Sequence, residues 1–152
     1  MRWERILCDM VAIKVENLKK FMSDLFTGNL FENFHVSHCE VVTFLRLELD
    51  GERCREWYDT GECPEEQDAQ VVWGECKPIV FQWIKGKKTP VKMKLDFCHY
   101  LKNGDTGSLR IEYTREALMA YTGYMQKDFS LDKQGQQEWD SYCQRMLEKE
   151  FC

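Results

Sequence analysis

Cysteine and histidine, the residue types that most often ligate zinc or form nucleophile–base pairs, lie close together at two places in the chain. His35 and His38 precede Cys39, and Cys98 precedes His99. Adjacent side chains on a strand point to opposite faces, so neither neighbouring Cys-His pair offers two ligands on one side. Structural zinc sites usually contain C-x-x-C pairs, and the sequence has none. We therefore expect no metal and no cofactor.

A Cys-His nucleophilic pair needs a partly exposed thiol and a third group that orients the base. No feature marks one of the eight cysteines for that role. The chain also lacks the Gly-rich phosphate loops, the G-x-S-x-G elbow and the H-E-x-x-H zinc motif. We expect reduced thiols and predict no catalytic residue, with a disulfide between Cys54 and Cys63 as the open alternative.

Lysines are concentrated where a predicted helix ends and a predicted strand begins. They are Lys85, Lys87, Lys88, Lys92 and Lys94. Lysines near a helix C-terminus are favoured by the helix dipole, and a charged face is often merely solvated. Five lysines within ten residues exceed what capping requires. The run therefore predicts a surface for an anion or a nucleic-acid backbone.

An acidic, turn-rich segment over residues 59–70 is the second candidate surface. The aromatic pair Trp57 and Tyr58 precedes it, and Tyr121 and Tyr124 flank a Thr-Gly turn farther along the chain. Exposed aromatic side chains beside charged residues are typical of contacts with a protein partner. The predicted partner contacts are Trp57, Tyr58, Glu62, Glu65 and Glu66.

Hydrophobic periodicity predicts the elements that hold these residues. In the first half, we expect a strand over 10–14, a helix from Val15 that ends at Gly28, a period-two strand over 36–49, a hairpin turn at Asp50-Gly51 and a return strand over 52–58. In the second half, we expect a helix from about Pro78 to Gly86, strands over 91–101, 109–113, 117–122 and 127–131, and an amphipathic C-terminal helix over about 133–151.

This order predicts an α+β fold with a mainly antiparallel sheet. Two similar β-α-β-β(-β) units, about residues 10–73 and 74–131, would place their helices on one face of the sheet. An undivided α+β sheet covered by helices on one side is the alternative. We expect residues 10–152 to form a single domain and residues 1–9 to be a disordered extension.

Composition supports one folded domain that is not integral to a membrane. The chain has 152 residues, of which 43% are hydrophobic, enough for one core. A membrane-spanning helix needs roughly 20 apolar residues, and no stretch approaches that length. The net charge of −5 argues against a uniformly basic nucleic-acid-binding surface but allows a local basic patch.

Three segments resemble an uncharacterised domain-of-unknown-function family of clostridial bacteria. They are the run from Trp83 to Pro90, the Thr122-Gly123 turn with the following Phe129 to Lys133, and Trp139-Asp140. The resemblance covers about residues 10–150 and implies a bacterial, cytoplasmic protein, with no activity to transfer. In the order of its elements and in its charge, the chain is also similar to the repeated unit of DNA sliding clamps. Because one domain of this size encircles DNA only as an oligomer, that similarity implies a homo-oligomer.

These observations predict an intracellular, non-enzymatic binding module, clamp-like and associated with nucleic acid through its lysines. A protein–protein adaptor or chaperone-like dimer that uses the acidic segment is the first alternative. An enzyme with a site that no motif marks is the second. A deep pocket that contains Cys98, His99 or His38 with converging polar groups would indicate the enzyme.

Overall fold

The computed structural model describes residues 11–63, 69–86 and 88–151. Six strands and three α-helices lie in these residues. In chain order they are β1 (Ala12–Lys14), α1 (Leu18–Thr27), β2 (His35–Val42), β3 (Arg46–Leu49), a 3-10 turn (Arg55–Trp57), α2 (Trp73–Ile84), β4 (Lys92–Tyr100), β5 (Thr106–Thr114), β6 (Leu118–Met125) and α3 (Gln134–Phe151). None of the described helices is both long and apolar enough to cross a membrane.

The six strands form one antiparallel sheet in the order β1-β6-β5-β4-β2-β3. The predicted α+β class is therefore confirmed. The long strands β4 and β5 lie at the centre because their clean alternation lets each bury one full face. Leu95 of β4, Ile111 of β5 and Ala120 of β6 are aligned across the sheet and completely buried.

The three helices cover the face of the sheet on which these residues lie. Apolar side chains at helical spacing on each helix join the strand residues in one core, for example Leu25 of α1, Val80 of α2 and Leu147 of α3. The indole N–H of Trp73 donates to the Leu25 carbonyl at 2.6 Å and fastens α2 to α1. The prediction of helices on one face is confirmed, and none of the helices in the described residues covers the opposite face, called here the helix-free face.

The first hairpin differs from the prediction. The turn lies at residues 43–45, where the Thr43 N–H donates to the Leu45 carbonyl, so the predicted single strand over 36–49 is two paired strands. The expected return strand after Asp50-Gly51 is wrong, since Glu52 forms only an isolated bridge with Gln70 and a 3-10 turn follows. The period-two pattern continues through residues 43–45, so it gave no sign of where the first strand ends and the second begins.

Two further boundaries differ. Helix α2 begins at Trp73 and contains Pro78 in its interior, whereas the prediction placed Pro78 in the first turn. The strand predicted over 127–131 is a loop closed by local side-chain bonds, among them a bond from the Ser130 N–H to the Gln126 side-chain oxygen. Its apolar residues Phe129 and Leu131 are exposed. The alternation of apolar residues alone did not make this segment a strand, because it pairs with none of the strands in the described residues.

Strands from both predicted units share the one sheet, with β1 beside β6 at the edge opposite β3. The division into two similar units stays a prediction. Residues 1–9, which we expected to be an extension, lie outside the described residues.

Candidate functional site

The helix-free face of the sheet carries a lattice of ion pairs. Asp96 of β4 accepts from Arg110 of β5 at 2.7 Å, and Arg110 also approaches Glu112 at 4.0 Å. These side chains lie at positions that alternate with the core residues, so cross-strand neighbours of opposite charge face each other. The lattice makes this face polar and largely self-neutralised.

The predicted lysine patch is divided by this arrangement. Lys92 lies 3.9 Å from Glu40 and Lys94 lies 3.8 Å from Glu112, so both have carboxylate partners on the helix-free face. Lys85 and Lys88 are exposed, in the linker that follows α2. Lys87 lies outside the described residues. The structure thus brings Lys92 and Lys94 together on one face of β4 and places Lys85 and Lys88 before that strand.

The predicted partner contacts are only partly described. Trp57 is 79% exposed and packs edge-on against Tyr58, with the ring centroids 5.2 Å apart. Tyr58 is held in place because its hydroxyl accepts from Arg53 at 2.8 Å. Glu62 is exposed at the end of the described part of the loop, and Glu65 and Glu66 lie outside the described residues.

Four of the thiols are buried and protonated. Burial raises the pKa of Cys39 and of Cys143 to about 12 and that of Cys76 to about 11. Burial also raises the pKa of Cys98, whose thiol donates to the Gln70 side-chain oxygen at 3.2 Å. A nucleophilic cysteine needs a lowered pKa, so none of these four thiols is suited to covalent catalysis.

An aromatic cleft of about 680 Å³ lies between the β4–β5 hairpin and the first turns of α3. Its lining comes from three separate parts of the chain. The lining residues are His99, Tyr100, Leu101, Lys102, Asn103, Tyr124, Gly135, Glu138, Trp139 and Tyr142. The volume falls within the range of roughly 300–1,000 Å³ that is usual for small-molecule sites.

The inner wall of the aromatic cleft is a stack of rings. The imidazole of His99 lies parallel to the indole of Trp139, with an interplanar angle of 6° and centroids 5.9 Å apart. Tyr142, one turn later on α3, continues the wall with its ring centroid 5.7 Å from that of Trp139. Trp139 is buried, whereas Tyr142 remains 47% exposed toward solvent. The stack therefore ends in an accessible aromatic face.

Glycine at position 107 allows the indole to lie so close to the sheet. A Cβ at Gly107 would overlap the Trp139 ring, so any other residue would push α3 away from β5. The indole N–H of Trp139 also donates to the Ser108 carbonyl at 2.9 Å. Gly107 thus lets Trp139 of α3 pack directly against β5.

Asp105 organises the hairpin at the rim. Its carboxylate accepts from the Tyr124 hydroxyl, from the Lys127 backbone N–H at 2.9 Å and from the Asn103 side-chain amide at 3.3 Å. These donors, the Tyr124 hydroxyl above all, hold the pKa of Asp105 below its usual range. The rim is consequently a fixed hairpin that joins β4, β5 and the segment after β6.

Polar groups of both signs flank the rings. Tyr100 is 49% exposed and donates its hydroxyl hydrogen to the Gln70 side-chain oxygen, and burial of that hydroxyl raises its pKa to about 12. Lys102 on the hairpin and Glu138 on α3 are both exposed at the mouth. The aromatic cleft can therefore stack on a flat ring while offering one cation, one carboxylate and an amide at its edge.

Comparison with protein-family models places residues 24–106, more than half of the chain, in a family of unknown function, DUF5721. The chain belongs to the DUF5721 family. No curated protein and no solved structure matches it. The expected resemblance to an uncharacterised family is thereby confirmed, and the run from Trp83 to Pro90 lies in the matched part. The clostridial source and the clamp similarity stay predictions.

The DUF5721 match covers one wall of the aromatic cleft. It contains β4 and the hairpin with Lys102 and Asn103, and it ends at Thr106, the first residue of β5. The opposite wall, which Trp139 and Tyr142 form, follows the matched part. Sequence reasoning named Tyr124 and His99 as candidates but did not bring them together, because the cleft is assembled from segments far apart in the chain.

Proposed function

We propose that this chain is a binding domain whose aromatic cleft takes a planar, nitrogen-containing ring of the nucleobase class. The single observation that supports it is the stack of His99 and Trp139 that ends in the exposed ring of Tyr142. Stacking of a base on an aromatic side chain contributes about 1–3 kcal/mol and tolerates different bases. Exposed tyrosines beside a buried tryptophan suit such a contact.

The edge groups favour a nucleoside or a nucleoside monophosphate over a plain hydrocarbon ring. The Glu138 carboxylate can accept from the exocyclic amine of a base, and the Asn103 amide can both donate and accept. Lys102 supplies one positive charge at the mouth, which suits a phosphate group. The absence of a low-pKa thiol among Cys39, Cys76 and Cys98 agrees with binding rather than covalent chemistry.

The test is calorimetric titration of the full chain with the four ribonucleosides and their 5′-monophosphates. We expect at least one monophosphate to bind with 1:1 stoichiometry. Tyr142→Ala should weaken it by about 5- to 150-fold, since a stacking partner is lost. Trp57→Ala, which removes an exposed aromatic ring outside the lining of the cleft, should leave the affinity unchanged.

Two outcomes would overturn the proposal. One is that no nucleoside or monophosphate binds the folded chain at millimolar concentration. The other is equal binding by the Tyr142→Ala and Trp57→Ala variants, which would place the ligand elsewhere. Circular dichroism on both variants separates loss of binding from loss of fold.

Association with nucleic acid through the lysines is a second proposal. Lys85 and Lys88 are exposed after α2, which favours a contact with phosphate groups. Lys92 and Lys94 add less to it than expected, because Glu40 and Glu112 neutralise them. A clamp-like homo-oligomer around DNA remains the most specific form of this proposal.

The adaptor alternative is favoured by one observation, the 79% exposure of Trp57. A large aromatic side chain so far out of the core is typical of an anchor for a protein partner. Capture of one defined protein by the wild-type chain, and its loss with Trp57→Ala, would support this alternative. Capture that persists with Trp57→Ala would reject it.

A further inference from the structure

Two glutamates face each other across the first hairpin on the helix-free side of the sheet. Glu40 of β2 is paired in register with Glu48 of β3, and His38 lies two residues before Glu40 on the same face. Like charges directly opposite each other destabilise a strand pair. Arg46 and Lys92 each approach Glu40 to 3.9 Å, and a cation bound by both carboxylates would relieve the repulsion further.

The three side chains converge. One ligand atom from each of His38, Glu40 and Glu48 lies within 4.8 Å of the other two. An imidazole nitrogen and two carboxylate oxygens are a donor set that divalent cations such as Mn²⁺ and Zn²⁺ accept. We propose that His38, Glu40 and Glu48 form a divalent-metal site on the helix-free face of the sheet.

An independent observation at Glu40 points to a ligand. The residue is only 8% exposed, and its Oε1 atom is buried with no hydrogen-bond partner among the described residues. The nearest cations, Nε of Arg46 and Nζ of Lys92, are each 3.9 Å from this atom, beyond hydrogen-bond distance. A buried carboxylate oxygen without a hydrogen bond is costly, and a metal ion would satisfy it.

The surroundings also suit a ligating histidine. Such a residue usually donates its other ring N–H to a carboxylate, which fixes the orientation of the ring. Nδ1 of His38 lies 4.0 Å from Oδ2 of Asp96, and Asp96 is itself held by Arg110. At 4.0 Å the two groups are not hydrogen-bonded, but Asp96 is the carboxylate that could accept the free ring N–H of a ligating His38 after a small shift.

Three protein ligands leave coordination positions open for water or for a further ligand. The expectation of no metal came from searching for cysteine pairs and for adjacent ligands. The proposed set instead combines alternate residues of one strand with a residue opposite on the next strand. That spacing becomes informative only once the hairpin turn at residues 43–45 is known.

Mn²⁺ is the probe of choice because thiols, which this chain has in number, bind it weakly. Loss of the electron paramagnetic resonance signal of free Mn²⁺ measures binding to the full, chelator-treated chain. We expect one bound ion per chain. Paramagnetic broadening of amide NMR signals should be strongest at His38, Glu40 and Glu48 and should weaken with distance along β4 from Asp96, the partner of His38.

Substitutions test the ligands individually. Glu48→Gln, at an exposed position, should weaken Mn²⁺ binding by at least about 10-fold. Glu116→Gln, an exposed carboxylate in the β5–β6 turn, is the matched control and should not change it. Arg46→Gln removes a cation that competes for Glu40 and should tighten binding several-fold.

Failure to bind Mn²⁺ at millimolar concentration by both the wild-type chain and Arg46→Gln would overturn the proposal. It would show that Arg46 and Lys92 alone neutralise the glutamate pair. Equal affinity of Glu48→Gln and Glu116→Gln, or broadening centred away from His38, would likewise reject the site. Nucleoside titrations do not affect this conclusion, because the cleft and the metal site share no residue.

Discussion

Arg53 shows how one side chain connects the loop after the first hairpin to the helix layer. Its guanidinium is 6% exposed and donates to both carboxylate oxygens of Glu75, at 2.8 and 2.9 Å. Glu75 in turn accepts from the Val72 N–H and so caps the first turn of α2. The two parallel hydrogen bonds make this a strong ion pair.

The pair predicts a pH-dependent contribution to stability. The Arg53 guanidinium lowers the pKa of Glu75, so folding favours the ionised carboxylate. The contribution is complete above the unfolded-state pKa of about 4.3 and is lost as the pH falls through the lowered folded-state value. We expect Glu75→Gln to reduce the free energy of unfolding by about 1 kcal/mol at pH 7, since Glu75 is partly exposed.

Urea denaturation of wild type and Glu75→Gln between pH 7 and pH 3 measures this effect. The difference between the two proteins should shrink below about pH 4.3. Glu116→Gln, whose carboxylate is exposed in a turn, should show no comparable difference at pH 7. A constant difference across the whole range would contradict an electrostatic origin.

Gly51 provides a second test at single-residue scale. Its φ of +70° disfavours other residues, and a Cβ there would overlap the Val36 carbonyl oxygen. Gly61 also has a positive φ, +86°, but a Cβ there would meet no atom within 4 Å. Gly51→Ala should lower the free energy of unfolding by about 3 kcal/mol or more, and Gly61→Ala should lower it by about 1 kcal/mol.

Thermal or urea unfolding of the two variants separates backbone strain from steric overlap. If the two variants lose the same free energy of unfolding, the packing of Gly51 against β2 makes no separate contribution to stability. The Asp50-Gly51 pair had predicted a hairpin turn from the sequence. In the structure, Gly51 instead lies where the chain passes close to the backbone of Val36 in β2.

At the scale of elements, periodicity predicted those segments whose partners are close in sequence. Strand β4 and the Asn103-Gly104 turn follow from alternation and turn chemistry alone, and α1 follows from an apolar stripe that ends at Gly28. The start of α2 could not be predicted in this way. Val72, at the N-cap position, has no side-chain acceptor, and the helix is capped instead by Glu75, which is held by the distant Arg53.

The aromatic cleft was beyond prediction for the same reason. Trp139 lies on the buried face of α3, which agrees with the amphipathic helix that the sequence predicts there. Its second role, as a wall that stacks on His99, depends on the docking of α3 against β5 across Gly107. Such docking depends on tertiary contacts that no local pattern contains.

Phe151, in the last turn of α3, should contribute strongly to the packing of the core. Phe151 is 1% exposed and its ring packs edge-on against Phe21 of α1, with centroids 5.0 Å apart. Phe151→Ala should reduce the free energy of unfolding by about 3–5 kcal/mol, since a buried aromatic ring is removed.

Phe129→Ala is the matched control, because Phe129 is 88% exposed in the loop before α3. It should change stability by less than about 0.5 kcal/mol. Urea denaturation at pH 7 compares the two variants. Similar losses in both would mean that the C-terminal turn of α3 adds little to the core.

At the scale of the whole molecule, two candidate sites, the exposed lysines after α2 and the aromatic cleft, lie at opposite ends of β4. The exposed lysines 85 and 88 precede the strand, and the aromatic cleft begins at its last residues. Nine residues of strand span about 26 Å at roughly 3.3 Å per residue. The charge-dependent site and the stacking site should therefore act independently.

Charge reversal tests that independence. With a net charge of −5, binding to a 20-base-pair duplex should be weak, with a dissociation constant above about 10⁻⁶ M. It should decline with rising salt with a logarithmic slope near −2, about −0.9 for each of two phosphate contacts. Lys85→Glu with Lys88→Glu should abolish duplex binding, as measured by fluorescence anisotropy, and leave monophosphate binding in the aromatic cleft unchanged. Duplex binding that is indifferent to salt, or that survives the reversal, would remove the lysines from any role in nucleic-acid contact.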